Sequence, residues 1–225
     1  MNLKNLTILS LCFFLSSCNH LFSGNELKFS GTVEVTEHSL SFPVPARISE
    51  INAEEGSDVK KGDILAVSDR YEQTKKDYQR LEALLKIGGA DSQTAEHAKL
   101  AMEDQKIESP VDGEILVKAH QSGETLTAGS PVLILGEIAS PWIRLYIPEG
   151  KIQNVKKGQK AVIRLDGTNK NIHGEVFYVS PKAEFTPRNI QTAEERVTQT
   201  FLVKVRLLDN NLAHPGVFGN VTLEK

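Results

Sequence analysis

The chain is predicted to be mainly β, with a short helical hairpin set between two similar β halves and a small β-barrel or sandwich after them. Three observations predict this. The run "FPVPARISEINAEEGSDVKKGDIL" (Phe42 to Leu65) is written again, without a gap, as "SPVDGEILVKAHQSGETLTAGSPV" (Ser109 to Val132). The stretch between the two copies changes to helical spacing. After Glu137 the chain returns to short apolar runs separated by turn residues, with no helix between them.

The N-terminus comes first in order. "MNLKNLTILSLCFFLSSC" carries Lys4 and then an apolar stretch from Leu6 to Leu15, about half of the ~20 residues a spanning helix needs. Residues 1–17 therefore read as an export signal. The ending "LSSC" resembles the lipobox of bacterial lipoproteins, which makes Cys18 the expected lipid attachment site. More than one acyl chain gives a stable anchor without a membrane span. Cys12 falls in the discarded leader, so the mature chain is expected to lack disulfides and thiolate metal sites. Residues 18–28 are polar and small, which suits a tether.

Residues 29–69 form the first β half with a leading strand, "KFSGTVEV". At a constant offset of 67, Pro43 matches Pro110, Val44 matches Val111, Ile48 matches Ile115, Gly56 matches Gly123 and Gly62 matches Gly129. Glycines recur where the chain must turn and apolar residues recur between them, so each copy reads as two or three short strands. Two copies predict one sheet-on-sheet unit. Ile48 and Ile115 are expected to share its core. Residues 107–137 are the second half.

Residues 70–106 lack proline and are rich in Glu, Gln, Lys, Ala and Leu, which are good helix formers. Tyr71, Thr74, Tyr78, Leu81 and Leu85 fall on one stripe, and Ala95, Ala98 and Met102 on a second. Gly88 and Gly89 separate the two, and Asp91 or Ser92 is placed to cap the second helix. Arms of about 15 residues would rise ~23 Å.

Residues 138–225 read as the barrel. "PWIRLYIPEG" alternates Ile143, Leu145 and Ile147 against Trp142, Arg144 and Tyr146, and "KAVIRLDG", "HGEVFYVSP" and "TFLVKVRLLD" supply further strands. "VKKGQKAVI" (Val155 to Ile163) echoes "VKKGDILAV" (Val59 to Val67) as the same lysine-flanked turn. Pro181 to Val197 is expected to be a long loop.

Composition narrows the function. A net charge of -3, with no basic stripe interleaved with aromatics, argues against nucleic-acid binding. The six histidines are scattered with no pair at ligand spacing, and no nucleophile elbow or phosphate loop is present, so neither an enzyme nor a metal site is expected. Glu54-Glu55 and Glu194-Glu195 are adjacent acids that read as solvated surface. Lys60 and Lys61 lie inside the first half and not at the join between halves, so a lipoyl or biotinyl carrier is disfavoured and no cofactor is expected. A lipoprotein scaffold or solute-binding module is the other alternative.

The split repeat, the stretch "AEFTPRNIQTAEERVTQTFLVKVRL" (Ala183 to Leu207) and the ending "HPGVFGNV" (His214 to Val221) together resemble the periplasmic adaptor, or membrane fusion protein, family of the haemolysin-secretion type. The resemblance implies a split lipoyl-like (barrel-sandwich hybrid) domain, a coiled-coil hairpin and a β-barrel. It implies a non-enzymatic adaptor of an export or efflux system, assembled in a ring around an inner-membrane transporter and reaching toward an outer-membrane duct. "AEFTPRN" with "TAEERV" is more similar to adaptors of ATP-driven exporters than of proton-driven ones. The expected location is the periplasm, on a lipid anchor in the inner membrane in preference to the outer. Family hairpins that bind a duct carry Arg, then Leu four residues on, then Ser seven further. Arg80 and Leu84 match, Asp91 stands in the third place, and the serine follows as Ser92.

Overall fold

The computed structural model describes residues 27–168, 170–185, 199–208 and 214–224. Cys18 and its leader, the tether up to residue 26, and residues 186–198 lie outside the described residues. The chain divides into two compact units, one built from Thr32–Ile143 with Asp209–Val217, the other from Met1–Gly31, Arg144–Leu208 and Phe218–Lys225.

The first unit is built on the repeat. Its strands are the end of β1 (Leu27–Ser41), β2 (Ala46–Ile51), β3 (Asp58–Val59), β4 (Ile64–Ser68), β5 (Lys106–Glu108), β6 (Gly113–Lys118), β7 (Thr125–Leu126) and the start of β8 (Pro131–Pro148). The bounds of β2 and β3 become those of β6 and β7 on adding 67, and β4 maps onto the start of β8. The halves exchange strands. β2 pairs with β7 through Ala46↔Leu126 and Arg47↔Thr125, while β3 pairs with β6 through Asp58↔Glu114 and Val59↔Gly113.

The backbone bonds between halves come in reciprocal pairs, which is what a local twofold relation requires. Gly56 N–H donates to Ile115 O at 2.8 Å, and Gly123 N–H donates to Ile48 O at 2.8 Å. Gly62 N–H reaches Ser109 O and Gly129 N–H reaches Phe42 O, at 2.8 and 2.9 Å. Gly56 and Gly123 have φ of 79° and 95°, a region where a side chain is strained. Each glycine thus lets its turn fold back so that its N–H meets the other half. Between the sheets Phe42, Ile48, Leu65, Ala66, Ile115, Val132, Leu133 and Leu135 form one buried cluster.

The helices replace a turn between two paired strands. β4 and β5 run antiparallel with Ile64↔Glu108, Ala66↔Ile107 and Val67↔Lys106, and α1 (Tyr71–Lys86) and α2 (Ser92–Glu103) lie between them in sequence. Ser68 and Gln105 close the root. Their backbones bond at 2.9 Å, and the buried Ser68 hydroxyl donates to Gln105 Oε1 at 2.6 Å. A buried, fully paired polar contact of this kind holds the two arms in one register.

The second unit strings β1, β12 (Phe218–Leu223), β9 (Lys160–Leu165), β10 (Asn171–Phe185), β11 (Gln199–Leu207) and β8 in that order, and a β1–β8 pairing closes the ring. Leu145, Ile147, Ile163, Leu165, Val176, Val203, Val205 and Val221 fill its interior, the alternation read from "PWIRLYIPEG" carried around a barrel. A single turn, α3 (Glu149–Ile152), follows β8.

One sequence expectation is corrected here. Pro181 to Phe185 do not open a loop; they continue β10, with Ala183↔Phe201, Glu184↔Thr200 and Phe185↔Gln199 on β11. Proline lacks the N–H a strand needs, and the register shift between Val179 and Ala183 accommodates it, as bulges do.

Candidate functional site

The hairpin carries four of the large apolar residues left exposed among the described residues: Leu84, Leu85, Ile87 and Leu100. On α1, Tyr71 is buried and Thr74, Tyr78 and Leu81 are half-buried, while α2 turns Ala95, Ala98 and Met102 inward. The inward stripe ends at Leu81. Leu85, expected on it, is 38% exposed. The arms have 16 and 12 residues, not about 15 each.

The turn between them is set by local chemistry. Gly89 N–H donates to Leu84 O at 2.8 Å and Gly88 N–H to Leu85 O at 3.1 Å, with Gly88 at φ 74°. This is the Schellman arrangement, in which a left-handed glycine satisfies the last carbonyls of a helix. The next helix is capped by Asp91 and not by Ser92. Asp91 Oδ1 accepts from Thr94 N–H at 2.8 Å and Oδ2 from the Thr94 hydroxyl at 2.7 Å. Ser92 is the first helical residue and is exposed. The residue standing in the family's serine place is thus occupied in ending the loop.

Those bonds, the Thr94 hydroxyl first and the Thr94 amide second, hold the Asp91 carboxyl below the usual carboxylate range. A group whose folded pKa is depressed stabilises the fold above its unfolded pKa, and the contribution disappears as pH falls through the folded value. Helicity of the hairpin is therefore expected to fall on acidification through that range. Circular dichroism of Asp91→Ala should show lower helicity at neutral pH and a smaller acid-induced loss than the parent.

Arg80 and Leu84 lie four residues apart on the last two turns of α1, and so on one face. Arg80 is 71% exposed, its guanidinium 3.8 Å from Asp77, a surface pair of small energetic weight. Leu84 is 36% exposed, its outer methyl lying beside Gly89. Ile87, three residues further, continues the same face and is 79% exposed. Sequence reasoning missed Ile87, although the spacing 80, 84, 87 was available. Ser92 opens the second arm across the Ile87–Asp91 loop. The site is therefore a cation followed by two outward aliphatics at the far end of a hairpin, a geometry suited to knobs-into-holes contact with a partner's helices.

No group of three or more His, Cys, Asp or Glu able to hold a metal occurs among the described residues. No helix among them is long and apolar enough to cross a membrane.

The description "RND MFP, barrel-sandwich hybrid domain" matches residues 39–135, which takes in both β halves and the inserted hairpin. Residues 39–135 are thus similar to the barrel-sandwich hybrid domain of membrane fusion proteins. A UPF0194 membrane protein of Citrobacter koseri is 32% identical over 113 residues, 50% of this chain and 34% of that one. One from Enterobacter sp. strain 638 gives the same figures. The chain thus spans about a third of the length of the curated relatives it matches. Among solved structures, a MacA–MexA chimera carrying the Pseudomonas aeruginosa MexA α-hairpin superposes with TM-score 0.64 at 19% identity, covering 88% of this chain and 80% of the other. The membrane fusion protein Spr0693 of Streptococcus pneumoniae R6 superposes with TM-score 0.61 at 14% identity, over 88% and 99%. At such identities these likenesses establish the membrane fusion fold alone.

Proposed function

We propose that this chain is the non-catalytic periplasmic adaptor of a multicomponent export or efflux system, coupling an inner-membrane transporter to passage across the periplasm. The observation that carries the reading is the Arg80–Leu84–Ile87 face, left outward at the end of a hairpin whose root is locked into a rigid twofold core. Removing apolar surface from water is favourable, and a lone protein gains nothing by holding two aliphatics out. A partner's helices would cover them.

Copies of the chain assemble side by side as a ring around the transporter. The transporter is an ATP-driven exporter in preference to a proton-driven one, a preference supported by the likeness carried by "AEFTPRN" and "TAEERV". An outer-membrane duct is the candidate partner for Arg80, Leu84 and Ser92. Cys18 carries the lipid anchor, and the inner membrane is favoured because the transporter lies there.

Purification in mild detergent after cross-linking in cells tests the coupling. A membrane transporter should be recovered with the chain, and recovery of the chain alone would refute it. A labelled fatty acid should enter the native protein and not Cys18→Ser; an unlabelled native chain would refute the anchor.

A further inference from the structure

The barrel carries a second copy of a turn that the first unit also uses, and the two differ in charge. In the first unit, Lys60 N–H donates to Asp63 Oδ2 at 2.8 Å, Lys61 N–H donates to Asp112 Oδ1 at 2.8 Å, and Asp58 lies two residues before Lys60. Two carboxylates thus bond the backbone of that lysine pair. In the barrel copy, Lys156 N–H donates to Gln159 Oε1 at 3.0 Å. An amide does the carboxylate's bonding without its charge.

The turn bonds are otherwise alike. Asp63 N–H reaches Lys60 O at 3.0 Å and Gln159 N–H reaches Lys156 O at 3.2 Å. The change from Asp63 to Gln159 therefore alters the field around the lysines and not the fold of the turn.

A cavity of about 640 Å³ opens on this turn, lined by Leu27, Gln153, Asn154, Lys156, Lys157 and Gln159 together with Gly158. Among the described residues no carboxylate lines it. Neither lysine ammonium is in an ion pair among the described residues. Glu149 begins the preceding turn, Glu175 stands opposite Lys160 in the β9–β10 register, and the Glu224 N–H bonds to Lys160 O. None of these three acids is among the residues that line the cavity. Two ammonium groups and the side-chain amides of Gln153 and Asn154 offer donors to phosphate oxygens, while the Gln159 amide is engaged by Lys156 N–H and the Glu224 carbonyl.

Leu27 says which phosphate. It lines the cavity and begins β1, nine residues after Cys18. At about 3.3–3.6 Å per residue the acylated cysteine lies within ~30 Å of Leu27 along the chain. On the lipoprotein reading above, on which this step rests, the cavity cannot be far from a bilayer surface. We infer that the barrel's Lys156–Lys157 cavity docks on the headgroups of anionic phospholipid in the periplasm-facing leaflet, giving the acyl anchor a second, charge-dependent membrane contact. The acyl chains tether the chain at Cys18, and a basic patch on the folded body adds a charge-dependent contact that holds the barrel itself against the surface.

The test uses the mature chain from residue 18 with Cys18→Ser, so that acylation plays no part, and measures co-flotation with vesicles. The probes are phosphatidylcholine vesicles with and without about a third phosphatidylglycerol, a fraction in the range of anionic surfaces. Binding should require phosphatidylglycerol and weaken with salt. Lys156→Gln with Lys157→Gln should weaken it about twenty-five-fold, each lysine near an anionic surface contributing roughly a factor of five. Lys60→Gln with Lys61→Gln removes the same charge from the matching turn and should leave binding unchanged. Equal loss in both pairs, equal binding to both vesicle types, or displacement by millimolar inorganic phosphate at constant ionic strength would overturn the inference. Fatty-acid labelling of the native chain tests the anchor separately, so either idea can fail without the other.

Discussion

Truncating Ile48 or Ile115 to alanine is expected to destabilise the first unit by roughly 2–5 kcal/mol in each case, the range for a buried aliphatic that leaves a cavity. The two side chains are 1% and 0% exposed and occupy equivalent places in the two halves. Their backbones also do equivalent work, since the Ile48 carbonyl accepts from Gly123 and the Ile115 carbonyl from Gly56. Alanine keeps those bonds and removes only the packing. The costs should therefore be similar, and urea unfolding should show both midpoints shifted down with little change in slope. A loss under ~0.5 kcal/mol for both, the size of a surface substitution, would contradict a shared core.

Replacing Ile87 by aspartate should abolish most export while leaving unfolding nearly unchanged, and Leu84→Asp should lower export with some loss of stability. Ile87 is 79% exposed, so a polar replacement there forfeits little packing in the free chain, whereas Leu84 is 36% exposed and packs beside Gly89. In a complex the same change puts a carboxylate against a partner's apolar groove. Losses of about 2 kcal/mol or more at such anchors weaken binding by roughly 30-fold. Arg80→Asp should act in the same direction, although a like charge three residues from Asp77 adds a folding cost of up to ~0.5 kcal/mol. Export assayed in cells lacking the native copy, beside thermal unfolding of each purified variant, separates the cases. Unimpaired export in Ile87→Asp would remove the tip from the contact surface.

Helix stripes, turn glycines and alternating strands were readable because each depends on residues close in sequence. Tyr71, Tyr78 and Leu81 are inward as their 3-4 spacing requires, and Ile143, Leu145 and Ile147 are all fully buried as their alternation requires. The tip was only half readable. Arg80 and Leu84 follow the Arg–Leu spacing of the hairpins the chain resembles, and that pattern does not include Ile87. Leu85 was misplaced because periodicity says which residues share a face, not where a shorter second arm stops covering it.

Strand pairing is where sequence reasoning ran out. The repeat marks β2 and β6 as equivalent, yet nothing local says that β2 should pair with β7 and β3 with β6. A strand's hydrogen bonds are satisfied by any neighbour in register, so pairing is chosen by the whole set of strands and the apolar face they must share. The same holds for β1, whose first residues join β12 of the barrel, with the Ser30 hydroxyl bonded to Asn220 at 2.8 Å across 190 residues of chain. It holds also for Pro181, which a local rule places in a loop and a bulge admits to β10. Backbone preference and side-chain periodicity act over a few residues, and they are enough to mark the two halves, their equivalent glycines and the hairpin between them. The exchange of strands between halves, the closing of the barrel by β1 and the exposure of Ile87 each depend on which distant surface arrives to satisfy or cover a group.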